Sequence, residues 1–131
     1  MQFNPELIAL IREGIKTQTR RPVSDGDTLE TELYEGFFNE APFQHVAVTN
    51  NGRIRWQIAN FYAIQPRRGA KGIGFIQMTD IRQERLGDIT QADALAEGFA
   101  SREAFFAYWD GLYKRLDLNQ PVWVLSFVFI K

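Results

Sequence analysis

Gly14-Ile15-Lys16-Thr17-Gln18-Thr19-Arg20-Arg21-Pro22 is the stretch that turns this chain from helix to strand, and it gathers an amine, two hydroxyls and two guanidinium groups at the turn. Upstream, Asn4 suits a helix N-cap, Pro5 has its φ already set for the first helical position, and Glu6 complements the positive helix end. Leu7, Ile8, Leu10 and Ile11 recur at helical spacing, and Gly14 offers a left-handed stop. The helix is therefore expected to end just before Lys16. Thr17 and Thr19 alternate with Gln18 and Arg20, which suits a short strand with both threonines on one face, and Pro22 closes it.

Further along, residues 23–44 carry the weakest signals for regular structure, with Asp25-Gly26-Asp27 as a turn and Gly36, Asn39 and Pro42 as breakers; an excursion over about 23–50 is expected. Phe43–Thr49 and Arg53–Ile64 read as two strands of a hairpin around Asn50-Asn51-Gly52. Gln65–Gly72 is a basic loop, and Ile73–Arg85 alternates as a strand with apolar groups on both faces. Thr90 caps a helix that stops at Gly98. Ser101 caps a longer one, whose apolar stripe is Phe105, Tyr108, Trp109, Leu112 and Leu116. The nearly all-apolar Val122–Ile130 ends the order as a covered strand. Strands outnumber helices and turn signals separate most of them, so the expected class is α+β: a small antiparallel β-barrel with helices on its rim, in one domain over 1–131.

The 131-residue chain has no cysteine and one histidine, His45, which excludes a thiolate metal site or a histidine cluster; His45 is assigned no role. No apolar run reaches membrane-spanning length and no apolar leader is present, so a cytoplasmic protein without membrane or metal partners is expected, monomeric by default. Net charge is −1, but its distribution is uneven. Pro22–Asn51 holds six acidic residues and no Lys or Arg, whereas Gly52–Gly72 holds five basic residues and no acid. The two blocks either neutralise each other as neighbours or set a positive wall on a cleft.

Five segments together resemble the ASCH domain, a PUA-like β-barrel family: Gly14–Pro22, Tyr62–Gly69, Ile81–Thr90, Ala94–Phe99 and Pro121–Phe127. The resemblance implies RNA or a modified nucleoside as partner and no cofactor. A compact branch of the family hydrolyses N4-acetylcytidine and uses a Gly-x-Lys-Thr-x-Thr-x-Arg segment with a Glu on a later helix; Lys16, Thr19, Arg21 and Glu97 fall on those positions. By that resemblance Thr19 is the nucleophile, Lys16 its base, Glu97 a proton donor or orienting group, and Arg21 a clamp on substrate or oxyanion. Ile15 and Arg20 differ in character from the residues flanking the motif there, and the chain is longer than those enzymes.

The chemistry is coherent without the resemblance. A threonine hydroxyl needs a neighbouring base, and an amine serves if burial and nearby cations push its pKa below the usual value of about 10.4. Thr17, Arg20, Arg21, Arg67, Arg68 and Lys71 are candidate substrate or phosphate contacts and Tyr62 a candidate stacking ring. The alternatives are a non-catalytic RNA-binding module or a ribonuclease using the same cationic cleft. Plainer readings make Lys16–Arg21 a solvated strand edge, Glu97 a surface carboxylate or a partner of Arg20, and Tyr62 core.

Overall fold

A computed structural model describes residues 1–34 and 43–131. The first helix, α1 (Pro5–Arg12), starts as its sequence dictates: Asn4 Oδ1 accepts from Leu7 N at 2.8 Å, and Pro5 occupies the first turn. Such a cap contributes about 1 kcal/mol. Leu7, Ile8 and Ile11 are buried, and Gly14 leaves the helix at φ 78°.

Seven strands follow: β1 (Gln18–Pro22), β2 (Asp27–Tyr34), β3 (Phe43–Asn50), β4 (Arg53–Gln57), β5 (Phe61–Ala63), β6 (Phe75–Arg85) and, at the C-terminal end, β7 (Pro121–Ile130). Between β6 and β7 lie a short 3-10 turn at Leu86–Asp88 and the helices α2 (Gln91–Glu97) and α3 (Arg102–Tyr113). Among the described residues the strands form two antiparallel sheets, in the orders β1-β7-β6-β5 and β2-β3-β4. The α+β class and the barrel-like packing with peripheral helices agree with expectation.

β7 shows why its run had to be apolar on both faces. Val122 and Val124 pack with Leu86, Phe105 and Trp109 on the helix side, while Trp123 and Leu125 pack with Val46, Val48, Trp56 and Ile81 between the sheets. A strand's period of two delivers alternate residues to each layer. Phe127, one step further, joins Phe3, Leu7, Ile11 and Ile76 under α1. Full burial of each such side chain stabilises by about 1.5–3 kcal/mol.

Several expectations are corrected. Asp27–Tyr34, expected to be irregular, pairs residue for residue with β3 from Asp27↔Asn50 to Tyr34↔Phe43. The acid-rich sequence is tolerated in a strand because residues 28–32 are exposed on both of its faces, with Asp27 as its anchor. Asp27 receives Trp123 Nε1 at 2.8 Å and Arg55 at 2.5 Å, so one acidic and one basic block do meet there. The breakers Gly36, Asn39 and Pro42, and the carboxylates Glu35 and Glu40, lie outside the described residues.

The β3–β4 hairpin is as expected, with Asn51 at φ 52° and Gly52 at φ 77°, the paired positive values of a two-residue turn that follows strand twist. Arg53–Ile64, however, is two strands. Ala59 adopts φ 76°, and residues 58–60 step from one sheet to the other: Ile58 N donates to Val46 O at 2.9 Å, and Ala59 N to Met78 O at 2.8 Å. This corner joins the sheets. Ile73 and Gly74 precede β6 because Gly74 takes φ 142°. The last helix stops at Tyr113, with Lys114 left-handed at φ 58°, so Leu116 lies beyond it. No described helix is long and apolar enough to cross a membrane.

Candidate functional site

The helix-to-strand turn is held on three sides. Ile15 N and Lys16 N both donate to Leu10 O, Thr17 N donates to Ala96 O at 2.8 Å, and Thr17 O accepts from Phe127 N at 3.0 Å. Lys16 thus sits before β1, not in it, pinned between α1 and α2. Gly98 closes α2 at φ 100°, and a Cβ there would stand 3.0 Å from Leu10 Cδ1 and 3.8 Å from Lys16 Cβ. Glycine is what lets α2 approach.

Within β1 alternation sorts the side chains. Thr19 and Arg21 share one face, where Arg21 Nη1 donates to Thr19 Oγ1. Gln18 and Arg20 share the other, toward α2, where Arg20 Nη1 donates to Gln18 Oε1 at 3.0 Å and Gln18 Nε2 to Asp93 Oδ1 at 3.1 Å. Thr17 immediately precedes the strand. Its contribution is the backbone link just described, and it does not line the cavity below.

Lys16 is 2 % exposed and donates three hydrogen bonds: to Gln18 O at 2.6 Å, Glu97 O at 2.7 Å and Glu97 Oε2 at 3.0 Å. Three acceptors satisfy an ammonium completely. Burial pushes the Lys16 pKa down, Glu97 opposes this, and Arg21 and Arg20 add to the lowering. Glu97, also 2 % exposed, gives its other oxygen to Arg20 Nη1 at 3.1 Å. Glu97 is therefore a buried hub and no surface carboxylate.

Arg20, expected among the substrate contacts, is turned inward. Its side chain has no solvent exposure, and its guanidinium also reaches Glu84 Oε1 at 2.8 Å and Asp93 Oδ2 at 3.3 Å. Arg82 lies on the outer side of the same carboxylates, 3.2 Å from Glu84 Oε2 and 3.3 Å from Asp93 Oδ2. Arg21 differs: among the described residues it has no carboxylate partner. Its guanidinium donates to Thr19 Oγ1, Arg20 O and Gln2 O, and lies 5.2 Å from the Phe3 ring centroid.

These groups border a cavity of about 350 Å³. Lys16, Thr19, Arg20, Arg21 and Glu97 form its polar side; Phe3, Leu7, Phe99, Phe105, Tyr108, Trp109, Leu112 and Tyr113 form its apolar side, and Gln2, Asn4, Pro5 and Pro66 its rim. Burial raises the Tyr108 and Tyr113 pKa values against the opposing charge of Arg21, so both phenols stay neutral donors. The α3 stripe serves both roles: Phe105 and Trp109 are buried core under β7 and, with Tyr108 and Leu112, also line the cavity, since hydrophobic periodicity marks the inward face without telling core from pocket. Asp93, Glu84 and Arg82 carried no sequence signal of this role, because two separate elements, α2 and β6, bring them together around Arg20.

The remaining candidates sit elsewhere. Tyr62 packs against the two clusters around β6, and its hydroxyl accepts from Gln57 N at 2.8 Å, so its ring is committed to the interior. Arg67, Arg68 and Lys71 are exposed on the loop that leaves the cavity rim at Pro66. Among the described residues no group of three or more His, Asp or Glu is placed to hold a metal ion.

No sequence-family model matches the chain, and no curated protein matches it. Two solved structures are similar in fold. An ASCH domain from Lactobacillus crispatus aligns with a TM-score of 0.55 at 13% identity, over 92% of this chain and 68% of that one. Protein EF3133 of Enterococcus faecalis, assigned to DUF984, aligns with a TM-score of 0.56 at 15% identity, over 95% of this chain and 69% of that one. With its two antiparallel sheets and peripheral helices, the chain has the fold of an ASCH domain.

Proposed function

We propose that the cavity binds an N4-acylated cytidine and hydrolyses its amide without a metal, with Thr19 as nucleophile, Lys16 as its base and proton carrier, and Glu97 as the group that orients Lys16. The observation that carries this reading is the convergence of Lys16, Thr19, Arg21 and Glu97 on one cavity with an aromatic wall. Its volume of about 350 Å³ lies at the small end of ligand pockets, about 300–1,000 Å³, which favours one nucleoside over a length of strand.

Among the described residues Lys16 makes no hydrogen bond to Thr19 in this resting arrangement; its three protons are taken by Gln18 and Glu97. Loss of one proton leaves two N–H groups for three acceptors. One contact opens, and the amine lone pair becomes free to accept from Thr19 Oγ1. Thr19 Oγ then bonds to the acyl carbon as its proton passes to Lys16. The C–N bond breaks as Lys16 returns that proton to the departing cytosine amine, leaving an acyl ester on Thr19. A water molecule attacks the ester, its proton passing through Lys16 back to Thr19, and the carboxylic acid leaves. Arg21, already on Thr19 Oγ1 and without a carboxylate partner, supplies positive charge where the oxyanion develops.

Incubation with N4-acetylcytidine is expected to release cytidine and acetate in equal amounts, and Lys16→Ala to remove this turnover; unchanged release by Lys16→Ala would refute the role of the amine. The exposed Arg67, Arg68 and Lys71 beside Pro66 favour a second reading, that the cytidine is presented within RNA whose phosphates run over this loop. RNA affinity should then fall steeply with salt, and a flat response argues against it.

A further inference from the structure

Arg20 has more buried ionic contacts than any other cation described here, yet the reaction above assigns it nothing. Its side chain has no exposure and meets three carboxylates, from Glu97 at 3.1 Å, Glu84 at 2.8 Å and Asp93 at 3.3 Å. It shares the Glu97 carboxylate with Lys16, Arg20 on Oε1 and Lys16 on Oε2. We propose that Arg20 is a positioning residue which keeps Glu97 ionised and oriented, so that proton exchange in the buried pair falls to Lys16. The proposal rests on the hydrolase reading only for its consequence in catalysis.

The physical reason is a competition for one proton. A lysine and a glutamate alone in a poorly solvated site hold that proton between them, because releasing it to solvent would leave a single buried anion uncompensated. A guanidinium cannot give up its proton, and its direct hydrogen bond to Glu97 Oε1 favours the carboxylate. With Glu97 held as an anion, the remaining way to shed buried charge is to release the Lys16 proton to solvent or substrate.

The other charged groups around the pair act in a defined order. From β1, Arg21 adds positive charge on the Thr19 side; from α2, Asp93, and from β6, Glu84 with Arg82 behind it, offset Arg20 from outside; from α3, Tyr108 and Tyr113 are neutral. The field of Arg20 on the pair is thus adjustable through Glu84. Removing Glu84 strengthens it, and removing Arg20 abolishes it.

The test follows Lys16 itself. Protein carrying isotope-labelled lysine is titrated by NMR at the Lys16 Cε–Nζ group, in parallel with the pH profile of kcat/KM on N4-acetylcytidine. Arg20→Met is expected to move the Lys16 midpoint, and with it the acid limb of kcat/KM, to higher pH, lowering kcat/KM on that limb about tenfold for each pH step the midpoint moves. Arg20→Lys should restore most of the wild-type position. Glu84→Gln, which leaves Arg20 in place, should move the midpoint to lower pH, and it reports even where Arg20→Met does not fold. A Lys16 midpoint that stays put in Glu84→Gln and in folded Arg20→Met or Arg20→Lys overturns the proposal, whatever happens to the rate. Midpoints that move as described in a protein without turnover uphold the role of Arg20 and refute the hydrolase reading instead.

Discussion

Lys16 Nζ lies 3.0 Å from Glu97 Oε2, and both side chains are almost wholly enclosed, 1% and 3% exposed. Deleting one member of such a pair strands a charge, at a cost of about 3–5 kcal/mol. The pair is tolerated because Lys16 has three acceptors and Glu97 a second cation.

That burial sets a pH dependence of stability. The folded state lowers the Lys16 pKa, chiefly by desolvation, from the ordinary value of 10.5. Between the lowered value and 10.5 the unfolded chain binds more protons, so the contribution of Lys16 to stability improves as pH rises through that window. Urea midpoints taken across it should rise more for wild type than for Lys16→Met, whose remaining groups, Tyr108 and Tyr113 included, are shared. Parallel curves contradict the lowered pKa.

Gly98→Ala should damage fold and site together. The left-handed φ of 100° costs a side chain about 1–2 kcal/mol, and the new methyl would press on Leu10 and Leu7 at 3.0 and 3.2 Å. Thermal unfolding should record a loss of about that size or more, and the Lys16 amine should shift with it.

Asp27 anchors β2 to β7. Desolvation works to raise its pKa, but hydrogen bonds from Asn50, Ser24 and Trp123 and the charge of Arg55 outweigh that, and the net shift is downward from 3.8. Its stabilisation is complete above 3.8 and is lost as pH falls through the lower folded value. Asp27→Asn should cost about 1–3 kcal/mol at neutral pH and flatten the acid limb of stability; an unchanged acid limb would show that Asp27 is not the anchor.

The sequence read this fold well where a signal was local. Asn4 with Pro5, Thr90 and Ser101 mark three helix starts, each confirmed by a side-chain cap, and Asn51-Gly52 marks a hairpin with both residues at positive φ. It failed where tertiary contacts decide. Nothing in Gln57–Phe61 announces that Ala59 turns left-handed to change sheets, and the acidic β2 hides its anchor, since Trp123 is nearly a hundred residues away. At the site, Lys16, Thr19, Arg21 and Glu97 were singled out by the resemblance to the ASCH family, and all four border one cavity. The carboxylates around Arg20 were not legible, because alternation alone cannot say that Glu84 and Asp93 wait on its face.

Tyr113 stands at the open side of the aromatic wall, 37% exposed, so its removal should spare the fold. If the wall receives a base, Tyr113→Ala should weaken nucleoside binding by about 1–3 kcal/mol in calorimetry while leaving the melting temperature nearly unchanged. Undiminished affinity would place the base elsewhere.

The most direct measurement compares Thr19→Ser with Thr19→Ala on N4-acetylcytidine, scoring cytidine release and ligand binding together. A hydroxyl nucleophile predicts that Thr19→Ser retains turnover, whereas Thr19→Ala still binds but loses on the order of 10⁴-fold in rate. Turnover by Thr19→Ala equal to wild type, or none by wild type under any condition in which it binds the nucleoside, would contradict the account.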